Sequence, residues 1–153
     1  MSIEEDVAFL MRVPTLSLLG RDALRIIAIG AESRYVHEGV ALFNEGEAAD
    51  GAYVVQEGAF ELTSSNSAIR SASVGPGALI GEFALLTETQ RTSTATAIEP
   101  STVVRIPRSL FLKMLEGYPD AAVRLRDAMS RRTNETAREF AKVRQFLDGG
   151  GAR

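Results

Sequence analysis

The middle of the chain is constrained most by turn-forming residues, which recur about every ten residues. These turn signals fall at Gly39, at 44–46, at Asp50-Gly51, at Gly58, at 64–66 and at 75–77. Short runs of β-type residues, such as Tyr53-Val54-Val55, lie between them. This spacing is typical of a sandwich or roll of antiparallel strands. We therefore predict a mainly β fold, with an antiparallel β-roll of the double-stranded β-helix or jelly-roll type over residues 33–107.

Helical patterns flank the predicted roll on its N-terminal side. Apolar residues three and four positions apart from Val7 predict a short amphipathic helix that ends by Pro14. A second helix is expected to be capped by Asp22 and to run to Gly30. Residues 1–32 are thus predicted to form N-terminal helices.

Residues 108–148 are predicted to form C-terminal helices. Pro119 suits the first turn of a long helix over 120–147, since Gly and Pro are absent from its interior. This helix carries a heptad seam of Met129, Thr133, Thr136, Phe140, Val143 and Leu147. The seam either lies against the roll or forms a parallel coiled coil between two copies in a homodimer. Residues 149–153 are expected to be a flexible tail.

The stretch 75–94 carries the residues needed to bind a phosphate ester. Gly81 precedes good helix formers, so we expect a single helical turn whose first amides bind an anion. Arg91 lies ten residues further on, far enough to bring a guanidinium to the same anion. Glu82 can accept a hydrogen bond from a sugar hydroxyl. A structural ion pair between Glu82 and Arg91 is the alternative.

The residues Gly81-Glu82-Phe83-Ala84-Leu85-Leu86, followed by Arg91-Thr92-Ser93-Thr94, resemble the phosphate-binding cassette of cyclic nucleotide-binding domains. The resemblance implies that the amides of Gly81 and Ala84, together with Arg91, hold the cyclic phosphate, and that Glu82 binds the ribose 2′-hydroxyl. It also implies that Thr92 donates to the phosphate. A Thr at this position often adds a contact that favours cyclic GMP, but it also occurs in cyclic AMP binders and so does not settle the base. Gln90 stands where the family commonly has Pro. The implied ligand residues of the cassette are Ile80, Gly81, Glu82, Phe83, Ala84, Arg91, Thr92 and Ser93.

The stretch from Arg91 to 131–132 is similar to the sensor half of bacterial cyclic AMP receptor-type transcription regulators. That similarity implies that Thr136, on the long helix, contacts the adenine. A Ser that reaches across the dimer in the family is Ala137 here. Residues 146–148 resemble the hinge before the family's helix-turn-helix domain. Because only the short tail follows this hinge, we do not expect this chain itself to read DNA.

Composition sets limits on location and partners. The net charge is −3, which argues against a general nucleic-acid binder. The chain has no cysteine, so it can form neither disulfides nor thiolate metal sites. It has no apolar run of about 18 residues that would span a membrane, and a cytoplasmic location is the default expectation.

Catalysis has little support in the sequence. His37 is the single histidine, whereas metal-binding β-rolls use two or three histidines with a carboxylate. No nucleophile-elbow signature accompanies it. We therefore predict no metal, no catalytic residues and no cofactor beyond a bound nucleotide.

The sequence thus predicts a non-enzymatic sensor module. It would bind cyclic AMP, with cyclic GMP as a weaker ligand, and would couple binding to movement of the C-terminal helix and to a possible protein effector. Two alternatives remain. The chain could be the sensor fragment of a DNA-binding regulator, or a dimerisation module that no longer binds a ligand.

Overall fold

The computed structural model describes residues 2–65 and 71–128. Helices stand at both ends of this part, with strands between them. The helices are α1 (Ile3–Leu10), α2 (Pro14–Ser17), α3 (Arg21–Gly30) and α4 (Arg108–Gly117), with further helical residues at 119–128. One 3-10 helix, Glu82–Leu85, interrupts the strands.

The strands pair antiparallel throughout the described residues. They are β1 (Glu32–Val36), β2 (Ala41–Phe43), β3 (Ala48–Ala49), β4 (Gly51–Glu57), β5 (Phe60–Thr63), β6 (Ala72–Val74), β7 (Leu79–Ile80), β8 (Thr89–Gln90), β9 (Thr94–Ala97) and β10 (Ser101–Pro107). One sheet has the order β1-β10-β4-β7, a second has the order β2-β9-β5-β6, and β3 pairs with β8. The predicted antiparallel roll with flanking helices is confirmed.

Two apolar clusters hold these layers together. The first joins the helices to the outer face of the β1-β10-β4-β7 sheet, and its members include Leu10, Leu16, Leu19, Leu24, Ile27, Ile106, Phe111 and Met114. The second lies inside the roll and contains Val36, Phe43, Tyr53, Val55, Phe60, Ile80, Ala95, Ala97 and Val103. Burial of these side chains is the main favourable term for the fold.

Strand β10 contributes to both clusters. Ile106 is buried against the helices and Val104 packs against the same cluster, whereas Val103 is buried inside the roll. Successive side chains of a strand point to opposite faces. A central strand that is covered on both faces therefore has consecutive apolar residues in its sequence. The last strand therefore links the helical layer to the interior of the roll.

The N-terminal helices differ from the prediction in two ways. α1 ends at Leu10, before Pro14, and Pro14 begins a further helix, α2, where its fixed φ suits the first helical position. The residue at the N-cap of α3 is Gly20, with φ 86°, and the prediction that Asp22 caps this helix was wrong. Asp22 lies in the first turn instead, where its carboxylate interacts favourably with the helix dipole.

The C-terminal predictions are only partly within the described residues. Of the predicted C-terminal helices, the first is found as α4, and residues 119–128 are helical after Tyr118. The rest of the predicted long helix, its seam and the tail 149–153 lie outside the described residues. None of the helices in the described part is both long and apolar enough to cross a membrane.

Glycine at position 58 is required by its surroundings as well as by its backbone. Its φ is 89°, and an added Cβ would meet Pro100 O and Ser101 Cα, each at 2.7 Å. Gly39 has a similar φ of 84°, but nothing lies within 4 Å of an added Cβ there. Gly39→Ala should cost about 1 kcal/mol from φ strain alone, whereas Gly58→Ala adds overpacking and should cost about 3 kcal/mol. Urea unfolding of both variants measures this, and equal losses would contradict the packing seen around Gly58.

Candidate functional site

The turn at Gly81 is the starting point of the site. Gly81 has φ 75°, in the left-handed region, and it is the N-cap of the 3-10 helix Glu82–Leu85. A backbone in this region favours glycine. Amides at the start of a helical turn have no carbonyl partner within that turn, which makes such a position suitable for an anion. The predicted single turn after Gly81 is therefore present.

The guanidinium of Arg91 lies directly beside this turn. A Cβ added at Gly81 would collide with Nη1 of Arg91, so the guanidinium occupies the space that a side chain at position 81 would need. Arg91 is only 7% exposed, which is rare for a charged residue. The prediction that Arg91 lies next to Gly81 is confirmed.

Two aromatic rings from other strands support the Arg91 guanidinium. Its Cζ lies 4.4 Å from the ring centroid of Phe43 on β2 and 5.5 Å from that of Tyr53 on β4. The two rings are stacked, with centroids 6.0 Å apart. A cation over aromatic faces is attracted to their negative electron density, and the attraction is larger where water is excluded. The rings thus fix the guanidinium in place.

The backbone of Arg91 is held by the preceding 45–47 turn. The amide of Arg91 donates to the carbonyl of Glu47 at 2.8 Å, and the amide of Gly46 donates to the carbonyl of Arg91 at 2.8 Å. Glu45 also belongs to this network, because its amide donates to Thr94 Oγ1 at 2.9 Å. A turn that the sequence marks as polar and exposed is therefore the backbone support of the site.

The guanidinium of Arg91 is neither ion-paired nor fully hydrogen-bonded within the described residues. Its Nη1 is buried and has no hydrogen-bond partner there, and Arg91 forms no salt bridge within the described part of the chain. Burial lowers the pKa of the Arg91 guanidinium, and the nearby Tyr53, Asp50 and Glu47 oppose that shift. An arginine remains charged even so. A buried cation with an unsatisfied donor is suited to bind an anion.

The remaining predicted residues have different environments. Ile80 and Ala84 are buried, Glu82 and Ser93 are half-buried, and Thr92 and Phe83 are exposed, the latter by 66%. The amide of Ala84 donates to the carbonyl of Gly81 at 3.1 Å, so in this structure it is engaged within the turn. Thr136 lies outside the described residues. The ligand contacts of all these residues stay predictions.

Several residues that build the site could not be identified from the sequence. Phe43, Tyr53 and Arg108 are among them, and each reaches the cassette from another part of the chain. The Nη1 of Arg108 lies 3.1 Å from the carbonyl oxygen of Ala84 and 2.9 Å from that of Thr87. No local motif signals such contacts, because they depend on strand pairing.

The arrangement is suited to bind a small monoanion. Within residues 2–65 and 71–128, no three His, Asp or Glu side chains come together as they would to hold a metal ion. What the site brings together is a left-handed glycine, the start of a short helical turn and a buried guanidinium.

A family profile described as "Cyclic nucleotide-binding domain" matches residues 33–118, which is more than half of the chain and includes all of the roll except its first residue, Glu32. The chain belongs to the cyclic nucleotide-binding domain family. The predicted resemblance of the cassette is thereby confirmed.

Similar proteins show this domain in several settings. The chain is 35% identical over 107 residues to a cAMP-dependent protein kinase regulatory subunit of Yarrowia lipolytica, covering 70% of this chain and 28% of that protein. It is 31% identical over 116 residues to the lysophospholipase nte1 of Neurospora crassa, covering 74% of this chain and 7% of that protein. The chain thus spans only a small part of these curated relatives.

A solved structure matches much more of its own length. The N-terminal domain of a transcriptional regulator from Streptomyces coelicolor A3(2) superposes with a TM-score of 0.78 at 29% identity, covering 86% of this chain and 94% of that domain. This match agrees with the predicted resemblance to the sensor domains of bacterial regulators.

The contact between Gly81 and Arg91 predicts that their substitutions are not additive. Gly81→Ala in the wild type introduces φ strain and a collision with the guanidinium, and we expect a loss of about 3 kcal/mol. In the Arg91→Ala background the collision is absent, so the same change should cost about 1 kcal/mol. Chemical denaturation of the four proteins in this cycle measures the difference. Additive losses would show that the two residues do not touch.

Proposed function

We propose that this domain is a regulatory sensor that binds a cyclic nucleotide, with cyclic AMP preferred over cyclic GMP. The observation that carries the proposal is the buried Nη1 of Arg91, which has no partner among the described residues and lies beside Gly81. A cyclic phosphate carries one negative charge and acceptor oxygens, and both match a guanidinium next to the start of a helical turn.

The proposed binding mode follows the polarity of the cassette. The cyclic phosphate lies at Arg91 and the turn after Gly81, with Thr92 and Ser93 at its edge. Glu82 accepts a hydrogen bond from the ribose 2′-hydroxyl, since a carboxylate would repel the phosphate. Thr136, on the helix that closes over the ligand, contacts the adenine.

The output is proposed to be a change in the position of the C-terminal helices. Binding shifts a conformational equilibrium only if the two states bind the ligand with different affinity, and such coupling is usually about 1–3 kcal/mol. The helix at 119–128 follows α4 directly, and the predicted helix 120–147 is the proposed dimer contact. The role is that of a binding module, not an enzyme, and a protein effector or an attached DNA-binding domain would receive the signal. A cytoplasmic location suits that role.

The first test is stabilisation by ligand. Cyclic AMP at 100 times its dissociation constant should add about 2.7 kcal/mol to the free energy of unfolding. For a domain of this size the midpoint of thermal unfolding should rise by about 5 °C or more. Arg91→Ala should abolish the shift and weaken binding in calorimetry by roughly 100-fold, because a buried phosphate loses its charged partner.

Arg25→Ala is the matched control for that test. Arg25 forms an exposed salt bridge to Glu4 on the helical layer, away from the cassette, and its loss should leave the ligand shift unchanged. A wild-type domain that neither cyclic AMP nor cyclic GMP stabilises would favour the alternative, a dimerisation module without a ligand.

The preference for the base has its own test. Thr136→Ala should lower the affinity for cyclic AMP by about tenfold, the effect of one lost hydrogen bond, with little change for cyclic GMP. Thr92→Ala should do the reverse and weaken cyclic GMP more. Calorimetric titration of both nucleotides into each variant gives the two ratios. Equal affinities of the wild type for the two nucleotides would refute the role assigned to Thr136.

A further inference from the structure

Arg108 connects the cassette to the helical layer through hydrogen bonds. It is the first residue of α4, directly after β10. Its Nη1 lies 3.0 Å from the carbonyl oxygen of Ala49, 3.1 Å from that of Ala84 and 2.9 Å from that of Thr87. Hydrogen bonds from a charged donor are roughly twice as strong as neutral ones.

The three acceptors belong to two separate segments that border the site. Ala84 lies in the 3-10 helix and Thr87 just after it, while Ala49 ends β3. The amide of Arg108 adds a fourth link, because it donates to the carbonyl of Asp50 at 2.7 Å. One residue of α4 is therefore bonded to the end of the turn and to the 49–50 segment at once.

The position of Arg108 relative to the turn complements that of Arg91. A single helical turn leaves its last carbonyls without partners inside the turn, and so short a helix is not stable by itself. Arg91 stands at the N-terminal end, where an anion would bind, and Arg108 stands at the C-terminal end. The turn thus lies between two guanidiniums, only one of which is satisfied by carbonyls.

We propose that Arg108 is a positioning residue that clamps the C-terminal end of the cassette turn and transmits a ligand-dependent shift of that turn to α4. Any displacement of the carbonyls of Ala84 and Thr87 must move the Arg108 side chain or break its bonds. Since Arg108 is the first residue of α4, the helix is the element that responds. The transmission step rests on the proposed function, whereas the clamp does not.

The chain supplies a matched control. Arg105 lies three residues before Arg108. Like Arg108, it contacts the 49–50 segment, because its Nη2 lies 2.7 Å from the Asp50 carboxylate. Within residues 2–65 and 71–128, Arg105 pairs with the carboxylates of Asp50 and Glu32 and with none of the carbonyls of the turn. Arg105→Ala therefore removes a guanidinium from the same segment and leaves the proposed clamp in place.

The first arm of the experiment is hydrogen exchange without nucleotide. In Arg108→Ala the amides of residues 83–87 should exchange at least tenfold faster than in the wild type, whereas Arg105→Ala should stay within about twofold. Arg108→Lys should restore part of the protection, because an ammonium can donate to several carbonyls but lacks the planar geometry of the guanidinium. Unchanged exchange of the turn in Arg108→Ala would overturn the clamp.

The second arm uses cyclic AMP at a concentration that saturates each variant. The wild type and Arg105→Ala should show a nucleotide-dependent change of exchange within α4, and Arg108→Ala should lose it although the nucleotide is bound. A merely structural role predicts lower stability with the change in α4 retained, and that result would overturn transmission. If Arg108→Ala does not fold, Arg108→Gln takes its place in both arms.

The two proposals fail in different ways. A wild type that binds neither cyclic AMP nor cyclic GMP in calorimetry would overturn the proposed function and the transmission step with it. The exchange of residues 83–87 without nucleotide would still decide whether Arg108 clamps the turn.

Discussion

The site depends on one buried cation, the guanidinium of Arg91. Moving a charge out of water is costly, and the described residues offset only part of that cost. Phe43 and Tyr53 contribute their ring faces, and the absence of a side chain at Gly81 provides the space. The donor Nη1 keeps no partner among these residues. An anion that binds there removes a penalty already present in the folded protein, so part of its affinity comes from the fold and not from new contacts alone.

Much of the architecture could be predicted because it is encoded locally. Turn residues separated by short β-type runs predicted the roll, and apolar spacing predicted α1. The errors arose where the local signal was weak or ambiguous. Proline occurs both after the end of a helix and at its first position, so Pro14 did not reveal α2. An aspartate is as suitable in the first turn of a helix as at its cap, so Asp22 did not fix where α3 begins. Strands of two residues, such as β7 and β8, are too short to show an alternating pattern.

The site could be predicted only as far as it is continuous in sequence. Gly81 and Arg91 belong to one cassette, and their convergence followed from a glycine, a short turn and the length of chain between them. Phe43 and Tyr53 lie on strands far away in sequence, and they reach Arg91 only because the two sheets pack face to face. The 45–47 turn carries polar residues, and such a pattern does not reveal that its backbone forms hydrogen bonds with Arg91.

The two arginines at the cassette show that residue type alone does not define a role. Arg91 and Arg108 both lie against the same short turn, and both are guanidiniums. Arg108 has carbonyl oxygens around it, so its charge stabilises protein structure and gains little from an added anion. Arg91 has aromatic faces instead, which hold a cation without neutralising it. The acceptors that each guanidinium already has, and not its charge, therefore separate the arginine that keeps an unpaired donor among the described residues from the one whose donors are satisfied.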